Sequence, residues 1–208
     1  TKEIPDHLPE YVDRHIAVWS PAPRKQEKAD LVKLFHTDLD NLKIFIINVE
    51  AFSTAKGVKF TENFILGHQV LFAVDESTTI KNPKASRTKA ITKLAKNTKY
   101  RRILTGSPIT QSPLDLYSQT EVLETNLLGY TSYYSFQNHY GEVVNRYFGG
   151  RTVRQVVGYR NLDELSQKLD SFSYRVLKSD CLDLPEKVYI RRDVTLTAEQ
   201  KKLYAELK

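Results

Sequence analysis

Along this 208-residue chain the apolar positions alternate between short unbroken runs and helical stripes. His15-Ile16-Ala17-Val18-Trp19 reads as a short strand, closed by Ser20-Pro21-Ala22-Pro23, which can continue neither a strand nor a helix. Lys25 to about Leu39 predicts a helix with Ala29, Leu31, Val32, Leu34 and Phe35 as its stripe. Asp40-Asn41 turns the chain into a second buried strand, Ile44-Phe45-Ile46-Ile47. Phe60 to Gln69 predicts a helix with Phe60, Phe64 and Ile65 on one face. Val70-Leu71-Phe72-Ala73-Val74 follows without a polar interruption, the pattern of a buried central strand in a parallel sheet.

Farther on, Asn82-Pro83 has the form of a helix start, a capping residue followed by proline at the first helical position. Ala90, Ile91, Leu94 and Ala95 make a narrow apolar seam on that helix. Arg102-Ile103-Leu104 predicts a strand that breaks into Thr105-Gly106-Ser107-Pro108. Ser112 then caps a further helix, with Asp115 near the positive end of its dipole. Strand and helix have alternated often enough to predict an α/β fold with a parallel sheet and flanking helices. After residue 120 the pattern changes. Seven aromatic residues from Tyr130 to Phe148 crowd a stretch without a strong strand signal, and Gly149-Gly150 breaks it. That stretch predicts a small helical insertion, and Asn161 to about Phe172 a further helix. The expected division is 1–120, 121–180 and 181–208.

Composition narrows the possibilities only a little. The chain is 40% hydrophobic and 27% charged, ordinary for a soluble globular protein, and no apolar run is long enough to cross a bilayer. The single cysteine, Cys181, excludes an internal disulfide and a cysteine-based zinc site. The net charge of +6 is local: Lys81 to Arg102 holds nine Lys or Arg and no acid. Without those nine, the 31 basic residues fall to 22 against 25 acidic. Such a run suits either a polyanion partner or a solvated helix face. Arg146, Arg151, Arg154 and Arg160 among the aromatics allow base stacking and phosphate contact, or simply a small core.

The candidate chemistry lies at the end of the uninterrupted run. In open α/β sheets ligands bind outside the carboxyl ends of the strands, where Asp75 and Glu76 emerge. Two adjacent acids there suit Mg²⁺ and the positioning of a water in phosphoryl transfer, although a solvated acidic turn has the same sequence.

Three segments carry a more specific signal. They are Asp75-Glu76-Ser77-Thr78 with Ile80-Lys81-Asn82-Pro83; Leu104-Thr105-Gly106-Ser107-Pro108-Ile109 with Pro113-Leu114-Asp115-Leu116-Tyr117; and Arg175, Lys178-Ser179-Asp180, Asp183-Leu184-Pro185-Glu186-Lys187 and Thr197-Ala198-Glu199-Gln200. In this order and spacing they resemble the ATPase core of Swi/Snf-type DNA translocases of helicase superfamily two. The first is similar to that family's Walker B segment, with Thr78 where many relatives carry histidine. The second is similar to its third helicase motif, and the third to the segment leaving the first RecA-like lobe.

The resemblance implies an incomplete RecA-like P-loop NTPase lobe, part of an enzyme that couples ATP hydrolysis to movement on DNA. It implies ATP and Mg²⁺ as cofactors, with Asp75 holding the metal through water and Glu76 activating the attacking water. Thr105, Gly106 and Ser107 would relay nucleotide state. Asn48 and Ser53, in the place of motif Ib, and Lys81, Lys84 and Arg87 would contact the DNA backbone. A non-hydrolysing binding module derived from such a lobe is the alternative. These 208 residues contain no Gly-x-x-x-x-Gly-Lys-Ser/Thr loop, so the phosphate loop and second lobe are expected elsewhere in a longer polypeptide. That polypeptide is expected to be intracellular, in a prokaryotic or virus-infected cell's cytoplasm or in a nucleus, without a membrane partner.

Overall fold

A computed structural model describes residues 8–36, 41–181 and 188–206. Segments 1–7, 37–40, 182–187 and 207–208 lie outside the described residues, among them the Asp183–Lys187 motif and the end expected for the first helix. The chain divides into two compact units, Thr1–Leu169 and Asp170–Lys208.

The first unit is built from parallel strand pairs and helices. β1 (Arg14–Val18) pairs in parallel with β2 (Leu42–Ile46), joined by α1 (Lys25–Lys33). Leu31 and Leu34 of the predicted stripe are buried, whereas Ala29 and Val32 face solvent. The chain then makes a 3₁₀ turn, Val49–Ser53, before α2 (Ala55–Gly67). α2 begins five residues before the predicted start because Thr54 caps it, its Oγ1 accepting the Gly57 N–H at 3.2 Å. Gly57 lies against the 3₁₀ turn so closely that a Cβ would meet the Ala51 carbonyl oxygen at 2.5 Å. The missing side chain lets helix and turn pack.

β3 (Leu71–Val74) runs parallel to β4 (Tyr100–Ile103), with Val74 opposite Ile103. Between them lie a 3₁₀ turn, Ser77–Ile80, and α3 (Ser86–Ala95). Phe72 and Val74 enter a core with Ile80, Ile91, Leu94 and Val122, where burial of each large side chain contributes roughly 1.5–3 kcal/mol. Two expectations are corrected here. β3 is buried on one face only: Phe72 and Val74 enter the core, whereas Leu71, 60% exposed, and Ala73 lie on the opposite, open face, and among the described residues the strand pairs with β4 alone. Asn82-Pro83 is a turn rather than a helix start. The Asn82 side-chain oxygen accepts the Lys84 N–H at 2.9 Å, and this local bond holds the chain out of helix until Ser86.

A 3₁₀ turn, Pro113–Asp115, opens α4 (Leu116–Leu123), capped by Ser112 as expected. α5 (Tyr133–Tyr140) buries Phe136 and Tyr140. The next segment departs from the helical reading. β5 (Gly141–Phe148) and β6 (Arg151–Tyr159) form an antiparallel hairpin with Gly149 and Gly150 as its two-residue loop, both at positive φ. Two glycines that accept positive φ suit the tight turn matching the twist of a hairpin. The two strands are the longest of the described residues. α6 (Leu162–Asp170) follows, and its Glu164 joins Lys168 (2.8 Å), His139 (2.7 Å) and Tyr140 (3.0 Å). Lys168 first, then His139, holds the Glu164 carboxyl down to about 2.

In the second unit, α7 (Lys178–Cys181) is a single turn and α8 (Ala198–Glu206) is capped by Thr197, whose Oγ1 accepts the Gln200 N–H. The helix predicted from Thr197 onward is present.

Candidate active site

Strand β3 delivers Asp75 and Glu76 to its carboxyl end, and both side chains are exposed. The parallel pairing with β4 continues past the strands: Leu104 N–H donates to the Val74 carbonyl at 2.9 Å, and Ser77 N–H to the Leu104 carbonyl at 3.0 Å. The acidic turn is therefore fastened to the residue that opens the Thr105–Pro108 loop. Within the turn the Glu76 N–H donates to Asp75 Oδ1 at 2.9 Å. Glu76 sits in the left-handed region, φ 47° and ψ 57°, a conformation costing an L-residue roughly 1–2 kcal/mol. Its carbonyl accepts both the N–H (3.0 Å) and the hydroxyl (2.9 Å) of Thr79, bonds that offset part of this cost.

Behind the exposed acids is a buried polar chain. Ser77, fully buried, donates its hydroxyl to Gln119 Oε1 at 2.7 Å. The Gln119 amide, also fully buried, donates to the carbonyls of Pro108 and Asp115, both at 2.8 Å. Asp115 in turn gathers the N–H and hydroxyl of Thr110 (3.1 and 2.9 Å) and the Gln111 N–H (2.9 Å). Burial pushes the Asp115 carboxyl up, but these hydrogen bonds outweigh it and hold the group below its ordinary value. One glutamine thus joins the Ser77 turn, 42 positions away, to the Pro108 loop and the start of its own helix.

Sequence patterns single out Asp115 as an acid near the positive end of a helix dipole and Ser77 as part of a motif, but they miss Gln119. Its one local sign is its place four residues after Asp115 on α4, which puts its amide beside the Asp115 carbonyl.

The Thr105–Ser107 loop is mostly exposed. Thr105 Oγ1 accepts the Ser107 N–H at 3.2 Å, and the Ser107 hydroxyl donates to the Ile109 carbonyl at 3.2 Å. A Cβ at Gly106 would meet nothing, so close packing does not explain that glycine.

The proposed nucleic-acid residues are placed unequally. Asn48 and Ser53 flank and end the 3₁₀ turn against which α3 packs; Asn48 caps it through the Ala51 N–H at 3.2 Å, and Ser53 is exposed. Lys84 is exposed on its turn. Lys81 instead reaches Thr110 and lies 3.7 Å from Asp115, so part of its charge is matched inside the fold. Arg87 donates Nε to the Thr79 carbonyl at 3.1 Å, bracing the acidic turn from α3. The exposed remainder of the basic run includes Lys89, Lys93 and Lys96 on or beside α3.

Among the described residues no group of three or more His, Cys, Asp or Glu side chains could enclose a metal. One carboxylate at a strand end, with open surroundings, suits Mg²⁺ all the same. That ion keeps several waters and is commonly held by one or two carboxylates together with substrate phosphates.

Comparison with known proteins supplies the family. Bovine DNA annealing helicase and endonuclease ZRANB3 is 28% identical over 189 residues, 90% of this chain and 16% of that protein. Human TATA-binding protein-associated factor 172 is 32% identical over 150 residues, 71% of this chain and 8% of its own length. The chain thus spans less than a fifth of either relative. Among solved structures, the Sulfolobus solfataricus SWI2/SNF2 ATPase core in complex with dsDNA aligns with 67% of this chain and 30% of its own, at 22% identity and a TM-score of 0.36. The SNF2-related domain profile matches residues 10–208, and the chain belongs to that family.

Proposed function

We propose that this chain is the Walker B-bearing portion of the first RecA-like lobe of an ATP-dependent DNA translocase. The observation that carries the reading is the pairing of exposed acids with a buried scaffold. Asp75 and Glu76 face outward at a strand end, while Ser77, directly behind them, is fixed through Gln119 to Pro108 in the next motif. An acidic turn that only faced solvent would need no such backing.

In this role Asp75 would hold Mg²⁺ together with ATP phosphates, and the bound ion would supply charge neutralisation there. Glu76 orients the attacking water and accepts its proton, a contribution of about 10²–10⁴ in rate. The left-handed backbone at Glu76 is stabilised by Thr79, which donates its N–H and its hydroxyl to the Glu76 carbonyl. Any change in the position of the acidic turn reaches the Thr105–Pro108 loop along two routes, the backbone at Leu104 and the side chain of Gln119. That connection suits Thr105, Gly106 and Ser107 to a relay between nucleotide and DNA. Asn48, Ser53 and Lys84 serve the DNA backbone, whereas Lys81 and Arg87 position the acidic turn.

ATP hydrolysis, followed with and without double-stranded DNA, tests the reading. A longer polypeptide that contains residues 1–208 together with a phosphate loop and a second lobe should hydrolyse ATP faster when DNA is added. Residues 1–208 alone should show none. Robust DNA-stimulated turnover by the 208 residues would overturn the division of the site, and a longer polypeptide inert towards ATP would favour the binding-module alternative.

A further inference from the structure

The β5–β6 hairpin and the turn after the acidic motif enclose a cleft that the proposed ATP site does not use. Its volume is about 460 Å³, within the range that takes a nucleotide-sized ligand. Asn82 and Lys84 form one wall, Tyr133 and Tyr134 of α5 a second, and Thr152 and Arg154 of β6 a third.

Three properties of this cleft point the same way. First, Tyr134 is 52% exposed and offers an aromatic face, while Tyr133 is packed edge-on against Tyr117 at 5.7 Å and only half-buried. Second, the Arg154 guanidinium lies 6.0 Å from the Tyr134 ring centre and also donates to the Asn138 side chain. That bond takes one of five guanidinium donors and fixes the group over one face of the ring, so a base would stack on the other. Third, the hairpin is cationic: from Gly141 to Arg160 there are four arginines and one acid, Glu142. A two-stranded hairpin with nearly every residue exposed gains little from core burial. Its sequence is therefore free to serve a surface role.

Aromatic faces beside arginine bind bases by stacking, and inside a duplex the neighbouring pairs already cover both faces of each base, so a base that enters a cleft and stacks there is an unpaired one. Phosphate contacts alone would require neither the tyrosine nor a cleft. We propose that this cleft takes one unpaired nucleotide of a DNA strand, its base on Tyr134 and its phosphate between Arg154 and Lys84. This rests on the reading of the chain as a DNA-translocase segment and adds a preference to it: DNA in which a single strand adjoins a duplex.

Fluorescence anisotropy with the full 208-residue chain tests the proposal. The probes are a blunt duplex, the same duplex with a short thymidine overhang at either end, and the overhang strand alone. The overhang duplex should bind about tenfold or more tighter than the blunt one, the scale of one stacked base. Tyr134→Ala and Arg154→Gln should each remove that difference while leaving blunt-duplex binding unchanged. Tyr134→Phe should keep it, and melting curves should match the wild type because the ring is half exposed. Equal affinity for blunt and overhang duplexes, with duplex binding intact, overturns the cleft proposal and leaves the translocase reading standing. A preference that survives both variants also overturns it. Failure to bind any probe overturns the cleft proposal together with DNA contact by this segment.

Discussion

The acidic turn and the hairpin are built on opposite principles. At the turn, exposed Asp75 and Glu76 are backed by Ser77 and Gln119, both fully buried and hydrogen-bonded to each other. At the hairpin, most of the described side chains from Glu142 to Arg154 are exposed, and order comes mainly from the pairing of the two strands and the Gly149-Gly150 loop. The turn is held from behind by buried hydrogen bonds. The hairpin is a surface tied to α5 by a few polar bonds, from Arg154 to the Asn138 side chain and from Arg160 to the Asn138 and His139 carbonyls. A substitution behind the turn should therefore disturb the α/β core, while one on the hairpin should leave that core intact.

Gln119→Leu tests the first half of that contrast and should have the largest effect on stability. It strands the buried Ser77 hydroxyl and removes a donor from the Pro108 and Asp115 carbonyls, a loss of about 1–3 kcal/mol. Urea denaturation should show a lower midpoint, with DNA-stimulated turnover of the longer polypeptide falling at the same time. A midpoint unchanged from wild type would mean that the chain behind the acids bears no load.

Gly150→Val tests the second half. With φ at +81°, a β-branched residue is strained by roughly 1–2 kcal/mol, and the hairpin should fray without loss of the α/β core. Hydrogen exchange should quicken across residues 141–159 and remain slow in α3. Exchange that quickened throughout the first unit would erase the distinction.

The smallest effect at neutral pH belongs to Glu164. Its folded-state value, about 2, lies below the ordinary carboxyl value of 4.5, so its contribution is complete above that ordinary value and is lost as pH falls towards 2. Glu164→Gln should flatten the fall in melting temperature between about pH 5 and 2. Two parallel curves would show that the Glu164–Lys168–His139 cluster is not coupled to folding.

The two regions also differ in how far sequence reveals them. The acidic turn was legible because its chemistry is contiguous: Phe72, Val74, Asp75 and Glu76 follow one another, and the strand's end fixes where the acids emerge. The scaffold behind it was not, since Ser77 and Gln119 are 42 positions apart and neither belongs to a pattern with a period. The hairpin escaped for another reason. Both its faces meet water, so nothing imposed the one-sided alternation that marks a half-buried strand. The available signal was weaker: paired β-branched residues at Val143-Val144 and Val156-Val157, and a Gly-Gly loop of hairpin length. Local chemistry misled at Asn82-Pro83 as well, where a side-chain bond to Lys84 favoured a turn over a helix cap.

Replacing Glu76 by glutamine in a longer polypeptide bearing this chain tests the central claim most directly, with ATP binding and ATP turnover measured on the same preparation. The amide keeps the size of the side chain but cannot take a proton from water. Binding should stay close to wild type and turnover should fall by about 10²–10⁴. Turnover that survived the substitution would contradict the assignment of Glu76, and with it the account of the acidic turn as half of an ATP site.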